Sequence, residues 1–266
     1  MYTYSDEHKV FLYKIKRRNF IINFFRLFII LIFIWLWEFL ARSDYINTFL
    51  YSSPSNIVNT IISMISNSTL FKHIGTTLYE LMISFSLSIF ISIFISTILW
   101  CNDTLYKIIE PYISILNSLP KVALGPLIII WFGASTNSII FMSLLISTFI
   151  TILNIYNGFI SVNKNYITMF KSFGANRLMI FTKLIFPNNI LNMFSALKIN
   201  ISMNLIGVIM GELLVSKAGI GYLIMYGSQV FNIDLVITGV FILGIISYLL
   251  YFILDSIENL VMKKFK

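Results

Sequence analysis

Six long apolar stretches constrain this chain more than any other feature of its sequence. An apolar run of about 20 residues is long enough for a helix to cross a bilayer. Charged residues make up only 11% of the chain, whereas they form about a quarter of a typical soluble domain. The sequence therefore predicts an all-α polytopic membrane protein with about six transmembrane helices. The expected spans cover residues 20–40, 75–100, 108–131, 137–158, 188–212 and 235–257.

The third stretch differs from the others because three prolines interrupt it. Pro111, Pro120 and Pro126 all fall within residues 108–131. Because a proline lacks the N–H that a helix requires and its ring clashes with the preceding turn, we expect kinks or a broken helix near the middle of the membrane. A broken span can present backbone groups to a solute, whereas a kink can also serve helix packing alone.

The distribution of lysine and arginine predicts the orientation of the chain. Cytoplasmic segments of membrane proteins are enriched in these residues, so we expect both termini to be cytoplasmic. The net charge of +8 then reflects topology and not nucleic-acid binding. The expected inside cations are Lys9, Lys14, Lys16, Arg17, Arg18, Lys107, Lys164, Lys171, Arg177, Lys183, Lys263, Lys264 and Lys266; the outside ones are Arg42, Lys72 and Lys217; Arg26, Lys121 and Lys198 fall within spans.

The N-terminal part contains a span and a shorter amphipathic segment. The first apolar run follows a basic segment, as in a signal peptide, but its length and the absence of a small-residue cleavage site favour a retained span. Ser53 and Pro54 indicate a helix start. The helix that follows is expected to lie along the membrane interface; its apolar residues are Ile57, Ile61, Ile62 and Ile65. We therefore expect an N-terminal region at 1–74, a core of five transmembrane helices at 75–258 containing a loop at 161–187, and a basic tail at 259–266.

Several kinds of chemistry find no support in the sequence. There is no GxxxxGK[ST] phosphate loop, GxSxG elbow or HExxH motif, and the single Cys101 with the distant His8 and His73 predicts no metal site. Paired acids within spans would indicate a proton relay, and none is expected. Glu38, Glu80, Glu212 and Asp255 each lie near an expected span end. The energy source for any transport is therefore expected in another chain, and an enzyme or a self-sufficient secondary transporter is less favoured.

Serines recur every fourth residue in the second span. Ser84, Ser88, Ser92 and Ser96 fall on one helix face. Small residues at this spacing let membrane helices approach closely. The stripe predicts either close helix packing, which we favour, or a polar face along a translocation path.

A basic segment, KSFGANRLMIFTKLIFP, separates the fourth and fifth spans. It runs from Lys171 to Pro187 and contains three cations and no acid. Gly174 is suited to a left-handed turn that ends one short helix, and a second helix is expected to lead to Pro187 at the start of the fifth span. Its apolar face is expected to hold Leu178, Phe181, Leu184 and Ile185. This segment can present a helix–turn–helix to a cytosolic partner or contact anionic lipid.

This segment resembles the EAA loop of the permease subunits of ABC importers. Gly174 and Pro187 stand at the separation of that motif, while Thr168, Met169 and Phe170 occupy its EAA triplet. Leu184 and Phe186 take its two apolar places. Two further stretches, Ser118–Ser135 and Ser195–Ile224, look like those of the nitrate/sulfonate/taurine-type subgroup.

The resemblance implies a membrane permease that pairs with a second copy of itself. Two cytoplasmic ATPase subunits would hydrolyse ATP and dock on the loop as a coupling helix, and an extracytoplasmic binding protein would deliver a small solute. This chain would hold no cofactor of its own. A sulfonate, nitrate or similar anion is expected, with a thiamine-pathway pyrimidine as the alternative. The implied coupling residues are Phe170, Lys171, Gly174, Ala175, Arg177 and Pro187, and the implied path or gate residues are Pro120, Pro126, Lys198, Glu212, Gly219 and Gly221.

Overall fold

The computed structural model describes residues 6–265, with side chains described over 11–263. The expectations for residues 1–5 and 266, and for the side chains of Lys9 and Lys264, lie outside these ranges. Every regular element within 6–265 is helical, as predicted. In chain order these elements are α1 (Asp6–Arg42), α2 (Thr48–Tyr51), α3 (Pro54–Ser66), α4 (Thr69–Cys101), α5 (Asp103–Ser118), a 3-10 turn (Lys121–Leu124), α6 (Gly125–Phe132), α7 (Thr136–Ile160), α8 (Lys164–Ser172), α9 (Arg177–Ile180), a π-helical turn (Phe181–Ile185), α10 (Phe186–Asn188), α11 (Ile190–Val215), α12 (Ile220–Gln229) and α13 (Ile233–Phe265).

The apolar stretches form five uninterrupted spans and one bent pair. The helices α1, α4, α7, α11 and α13 are each long and apolar enough to cross a membrane. The helices α5 and α6 together form the sixth apolar segment and meet at an angle of 83°. The prediction of about six spans is therefore confirmed, with the bent pair counted as the third.

The break in the third span lies at Pro120. Pro111 sits inside the continuous helix α5, whereas Pro120 separates α5 from the 3-10 turn and Pro126 lies in the first turn of α6. Proline is tolerated at a first helical turn because the N–H it lacks has no intrahelical partner there. Of the three prolines, only Pro120 therefore coincides with the change of direction.

The serine stripe packs α4 against α7. All four serines are fully buried. Ser92 Oγ donates to the Thr148 carbonyl at 3.3 Å, and Ser96 Oγ donates to the Ile152 carbonyl at 3.0 Å. The packing interpretation is thus confirmed, because these hydroxyl groups face a neighbouring helix and not an open path.

A buried polar network extends this packing to α11. Asn200 Nδ2 donates to Ser88 Oγ and to Thr151 Oγ1, both at 2.7 Å. Ser143 Oγ donates to the side-chain Oδ1 of Asn204 at 2.8 Å. Gly207 permits the close approach, since a Cβ there would lie 2.4 Å from the Ser143 Cα. Satisfied buried polar groups of this kind fix the relative positions of the three helices.

The amphipathic helix α3 forms where it was predicted. Ser53 caps its N-terminus and accepts a hydrogen bond from the Asn56 N–H at 3.2 Å. Ile57 and Met64 are buried, because α3 packs against α4 and α13, whereas Ile62 and Ile65 are exposed. Its position along the membrane interface stays a prediction.

Candidate translocation path and basic loop

Residues 161–189, here called the basic loop, join α7 to α11 through two short helical segments. Gly174 follows α8 with φ of +77°, in the left-handed region that favours glycine. A Cβ at Gly174 would meet no atom within 4 Å, so the backbone angle and not lack of space requires glycine there. The Gly174 and Ala175 N–H groups donate to the Lys171 and Phe170 carbonyls at 2.9 and 3.0 Å. The predicted helix–glycine–helix arrangement is therefore present.

The second segment of the basic loop winds more loosely than the predicted regular helix. Asn176 caps α9 by accepting a hydrogen bond from the Met179 N–H at 2.8 Å. A π-helical turn follows, in which the Phe186 N–H bonds to the Phe181 carbonyl. Pro187 accounts for the looser winding, because it lacks an N–H and its ring displaces the carbonyl four residues before it. The fifth span begins just beyond it, at Ile190.

The buried face of this segment differs from the predicted one. Ile180, Phe181 and Ile185 are buried beside Phe159 of α7. Leu178 was expected on this face and is instead 69% exposed. The error arises because the helix starts at Arg177 and changes its winding at Phe181, so a uniform 3.6-residue period does not describe it.

Phe170 packs inward, beneath the turn. It lies partly buried against the same apolar cluster as Ala175. The large ring therefore fills space between the basic loop and the ends of the spans. It is not part of the exposed tip.

Apolar side chains form an exposed patch at the tip of the basic loop, here called the loop knob. Phe173 is 83% exposed at the turn itself. Such a patch of large apolar side chains is typical of a protein interaction site. The loop knob consists of Tyr166, Met169, Phe173, Leu178 and Met179.

Cations surround a cavity of about 360 Å³ between the basic loop and the ends of α4 and α7. Lys164, Lys171 and Arg177 line it together with one acid, Asp103. Arg177 donates to the Cys101 carbonyl at 2.6 Å and to Asp103 Oδ2 at 3.3 Å. Arg177 thus ties the basic loop to the α4–α5 junction, and Lys171 remains exposed.

Glu212 lies at the centre of a buried turn at the opposite end of α11. It is 1% exposed and accepts hydrogen bonds from Thr77 Oγ1 and from the Gly221 N–H, both at 2.6 Å. Gly219 has φ of +111°, and a Cβ there would lie 2.3 Å from the Glu212 carboxyl carbon. The two glycines therefore let the backbone wrap around this carboxyl group.

A second acidic residue lies beside Glu212, although the two are far apart in the sequence. Glu80 of α4 is equally buried, and its carboxyl group lies next to that of Glu212. The prediction that no acids pair within spans was therefore wrong. Separation in sequence concealed the pair, since α4 and α11 become neighbours only in the folded chain.

Lys198 of α11 is held by two carboxylates of α13. Its Nζ lies 2.6 Å from Asp255 Oδ1 and 2.7 Å from Glu258 Oε2. It also lies 5.0 Å from the centre of the Tyr251 ring. Lys198, which the family resemblance implies as a path residue, thus forms an ion triad that links two spans.

Lys121 lies at the break between α5 and α6, flanked by the implied path residues Pro120 and Pro126. Its Nζ donates to the carbonyl and to the side-chain Oδ1 of Asn117, both at 3.2 Å. Its Nζ is 5.9 Å from the centre of the Phe149 ring. Sequence reasoning noted this lysine as intramembrane and did not select it as a site residue.

Amide side chains line a groove between α7 and α11. The groove has a volume of about 280 Å³ and contains no charged residue. Such hydrogen-bonding groups are costly in lipid and belong beside protein or water. The lining residues include Asn154, Asn157, Ser161, Asn192 and Ser195.

These features define a polytopic helical membrane protein. It has one discontinuous span and a polar groove on its surface between α7 and α11. Residues 87–266 match the family described as the inner membrane component of binding-protein-dependent transport systems. The chain belongs to this family. It is a permease subunit of an ABC importer and crosses the cell membrane several times.

The relatives of this chain are named as permeases for several different solutes. The chain is 29% identical to the formylaminopyrimidine transport permease ThiX of Halalkalibacterium halodurans, over 85% of this chain and 90% of that protein. It is 22% identical to the taurine permease TauC of Escherichia coli, over 84% and 83%. It is 21% identical to the putative aliphatic sulfonate permease SsuC of Escherichia coli, over 80% and 81%.

The fold is also similar to a solved transporter. The inward-facing MetNI methionine ABC transporter matches with a TM-score of 0.66 and 18% identity, over 74% of this chain and 97% of that one. At this identity the likeness concerns the fold.

Proposed function

We propose that two copies of this chain form the translocation path of an ABC importer for a small polar solute. A cytoplasmic ATPase dimer binds the loop knob, and an extracytoplasmic binding protein delivers the solute at the opposite end. The observation that carries the proposal is the loop knob, in which Phe173 is 83% exposed beside the left-handed turn at Gly174. Exposed apolar side chains beside a turn suit insertion into a groove of another protein.

Positive charges on the basic loop offer a second kind of contact, in addition to the apolar contact that the loop knob would make. Lys164 and Lys171 face the cavity beside the loop knob, and no carboxylate among residues 11–263 pairs with either. Acidic side chains on the ATPase are the proposed counterparts. The proposal therefore has the basic loop, and with it both termini, on the cytoplasmic side.

Pairing with a second copy is proposed because one copy leaves two surfaces uncovered, a polar one at the ends of its spans and an irregular one at the break between α5 and α6. The amide groove and the broken span both face outward in the single chain. A second copy would enclose these surfaces around a water-filled path, and rocking of the two halves would give alternating access.

The docking proposal is tested by co-purification and ATP-driven uptake with the ATPase and binding protein. Replacing Phe173 and Leu178 with serine is expected to abolish both, since central apolar contacts each contribute about 2 kcal/mol or more. The matched control for ATPase co-purification is Phe231→Asn at the opposite end, where the side chain is 73% exposed. Unchanged co-purification and uptake in the Phe173/Leu178 variant would contradict the docking site.

The proposed solute is a small anion such as a sulfonate or nitrate, with a pyrimidine as the alternative. Both classes occur among the solutes named for the relatives. Stimulation of ATP hydrolysis by taurine, ethanesulfonate, nitrate or formylaminopyrimidine in the complete complex would identify the class. A self-sufficient secondary transporter would instead move the solute without ATPase, driven by an ion gradient.

A further inference from the structure

Lys121 occupies the middle of the membrane-spanning region. It contacts Phe149, which lies 13 residues into the 25-residue helix α7. At 1.5 Å per residue this position is about 20 Å from one end of α7 and about 17 Å from the other. A charged side chain at such depth is costly and is typical of a functional site.

The charge of Lys121 has no carboxylate partner. Among residues 11–263, no acidic side chain lies within 4.0 Å of its Nζ. Two of its N–H donors bind the uncharged oxygens of Asn117. An ammonium group has three donors, so one donor, and a charge that no carboxylate neutralises, remain for another ligand.

The irregular backbone around Lys121 is exposed in the single chain, and no other part of the described residues buries it. Leu119 and Val122 are 43% and 47% exposed, and Pro120 and Ala123 are exposed as well. Irregular backbone at membrane depth persists only where protein buries it or where it lines a water-filled cavity. Under the proposed function, the discontinuous span faces the path between two copies, as binding sites at broken helices do.

We infer that Lys121 is a specificity-determining residue that binds the anionic group of the transported solute. This inference rests on the proposed function and names its solute class as a small anion. The ammonium group forms a charge-assisted hydrogen bond to a sulfonate, carboxylate or similar group. The Asn117 amide, which accepts from Lys121 through Oδ1, offers its Nδ2 as a second donor.

Lys121 also caps the end of α5, through its bond to the Asn117 carbonyl. A cap affects stability, whereas a solute ligand affects uptake of anions selectively. The test is therefore ATP-driven uptake by the complete complex, measured for Lys121→Gln, for Lys121→Arg and for the control Lys107→Gln in an exposed segment of α5.

Lys121→Gln is expected to reduce anion uptake about tenfold or more, the effect of losing one charge-assisted hydrogen bond. Lys121→Arg should retain most of the uptake, and Lys107→Gln should match the parent. Equal uptake by Lys121→Gln, or a transported solute that carries no charge, would overturn the inference while leaving the importer intact. Loss of complex assembly in Lys121→Gln would show a structural role and would also overturn it. Absence of ATP-driven uptake in the parent complex would instead refute the proposed function.

Discussion

Two lysines within the spans have opposite surroundings. Lys198 on α11 meets two carboxylates of α13, whereas Lys121 at the α5–α6 break meets only amide and carbonyl oxygens and an aromatic ring. One positive charge is neutralised inside the fold and links two helices. The other remains available for a ligand. The comparison shows that an intramembrane charge becomes informative about function only once its partners are known.

The largest stability effect is expected from Lys198→Met. The substitution leaves Asp255 and Glu258 without their shared cation, and hydrogen bonds to charged groups contribute about 1.5–3 kcal/mol. We expect the free energy of unfolding in detergent to fall by about 2 kcal/mol. Combining it with Asp255→Asn and Glu258→Gln should restore part of the loss, because no carboxylate is then left unpaired. A single variant as stable as the parent would contradict the structural role.

Removing one arm of the triad should have an intermediate effect. Glu258→Gln leaves the Lys198–Asp255 contact of 2.6 Å in place. The free energy of unfolding is expected to fall by about 1 kcal/mol, the contribution of one hydrogen bond. Thermal unfolding of Glu258→Gln and of Lys198→Met, measured in parallel, gives the ratio of their losses of stability. A loss as large as that of Lys198→Met would show that Asp255 contributes nothing.

A smaller stability effect is expected from Lys121→Met. The substitution removes a helix cap but leaves no carboxylate unpaired, so the loss should stay below about 1 kcal/mol. The same variant is expected to lose anion uptake. Thermal unfolding and uptake measured on one preparation separate the two effects. A stability loss as large as that of Lys198→Met would remove the distinction between the two lysines.

The smallest stability effect is expected from Asn117→Leu. Lys121 then keeps the residue 117 carbonyl and loses one side-chain acceptor, for a change below about 0.5 kcal/mol. If the Asn117 amide also binds the solute, the apparent affinity for the anion should fall a few-fold, with the maximal rate less affected. Uptake at several anion concentrations gives both quantities. An unchanged affinity would limit the anion site to Lys121.

Much of the fold could be predicted because its signals are local. Apolar length marks the spans, three prolines mark which span is interrupted, and Gly174 marks the turn of the basic loop. Each depends on the conformational limits of a few neighbouring residues. The exposed Leu178 shows where this reasoning fails, since a π-helical turn changes which residues share a face.

The polar interior could not be predicted because its partners are distant in sequence. The Glu80–Glu212 pair joins α4 to α11, and Asn200 reaches Ser88 across 112 positions. The Lys198 triad likewise depends on which face of α13 meets α11. One signal was available for Glu212: Gly219 and Gly221 follow it closely within an apolar region, which is typical of backbone wrapping around a side chain.

The most direct test is the aqueous accessibility of the α5–α6 break in the assembled transporter. Cys101→Ser removes the only cysteine, and Ala123→Cys then introduces a single thiol at an exposed position of the break, with Lys121 intact. We predict rapid modification by a sulfonate-bearing methanethiosulfonate reagent, slowed by the transported anion. Ser96→Cys, buried between α4 and α7, should remain unmodified. A thiol at 123 that resists modification in a complex active in ATP-driven uptake would contradict a path along the broken span.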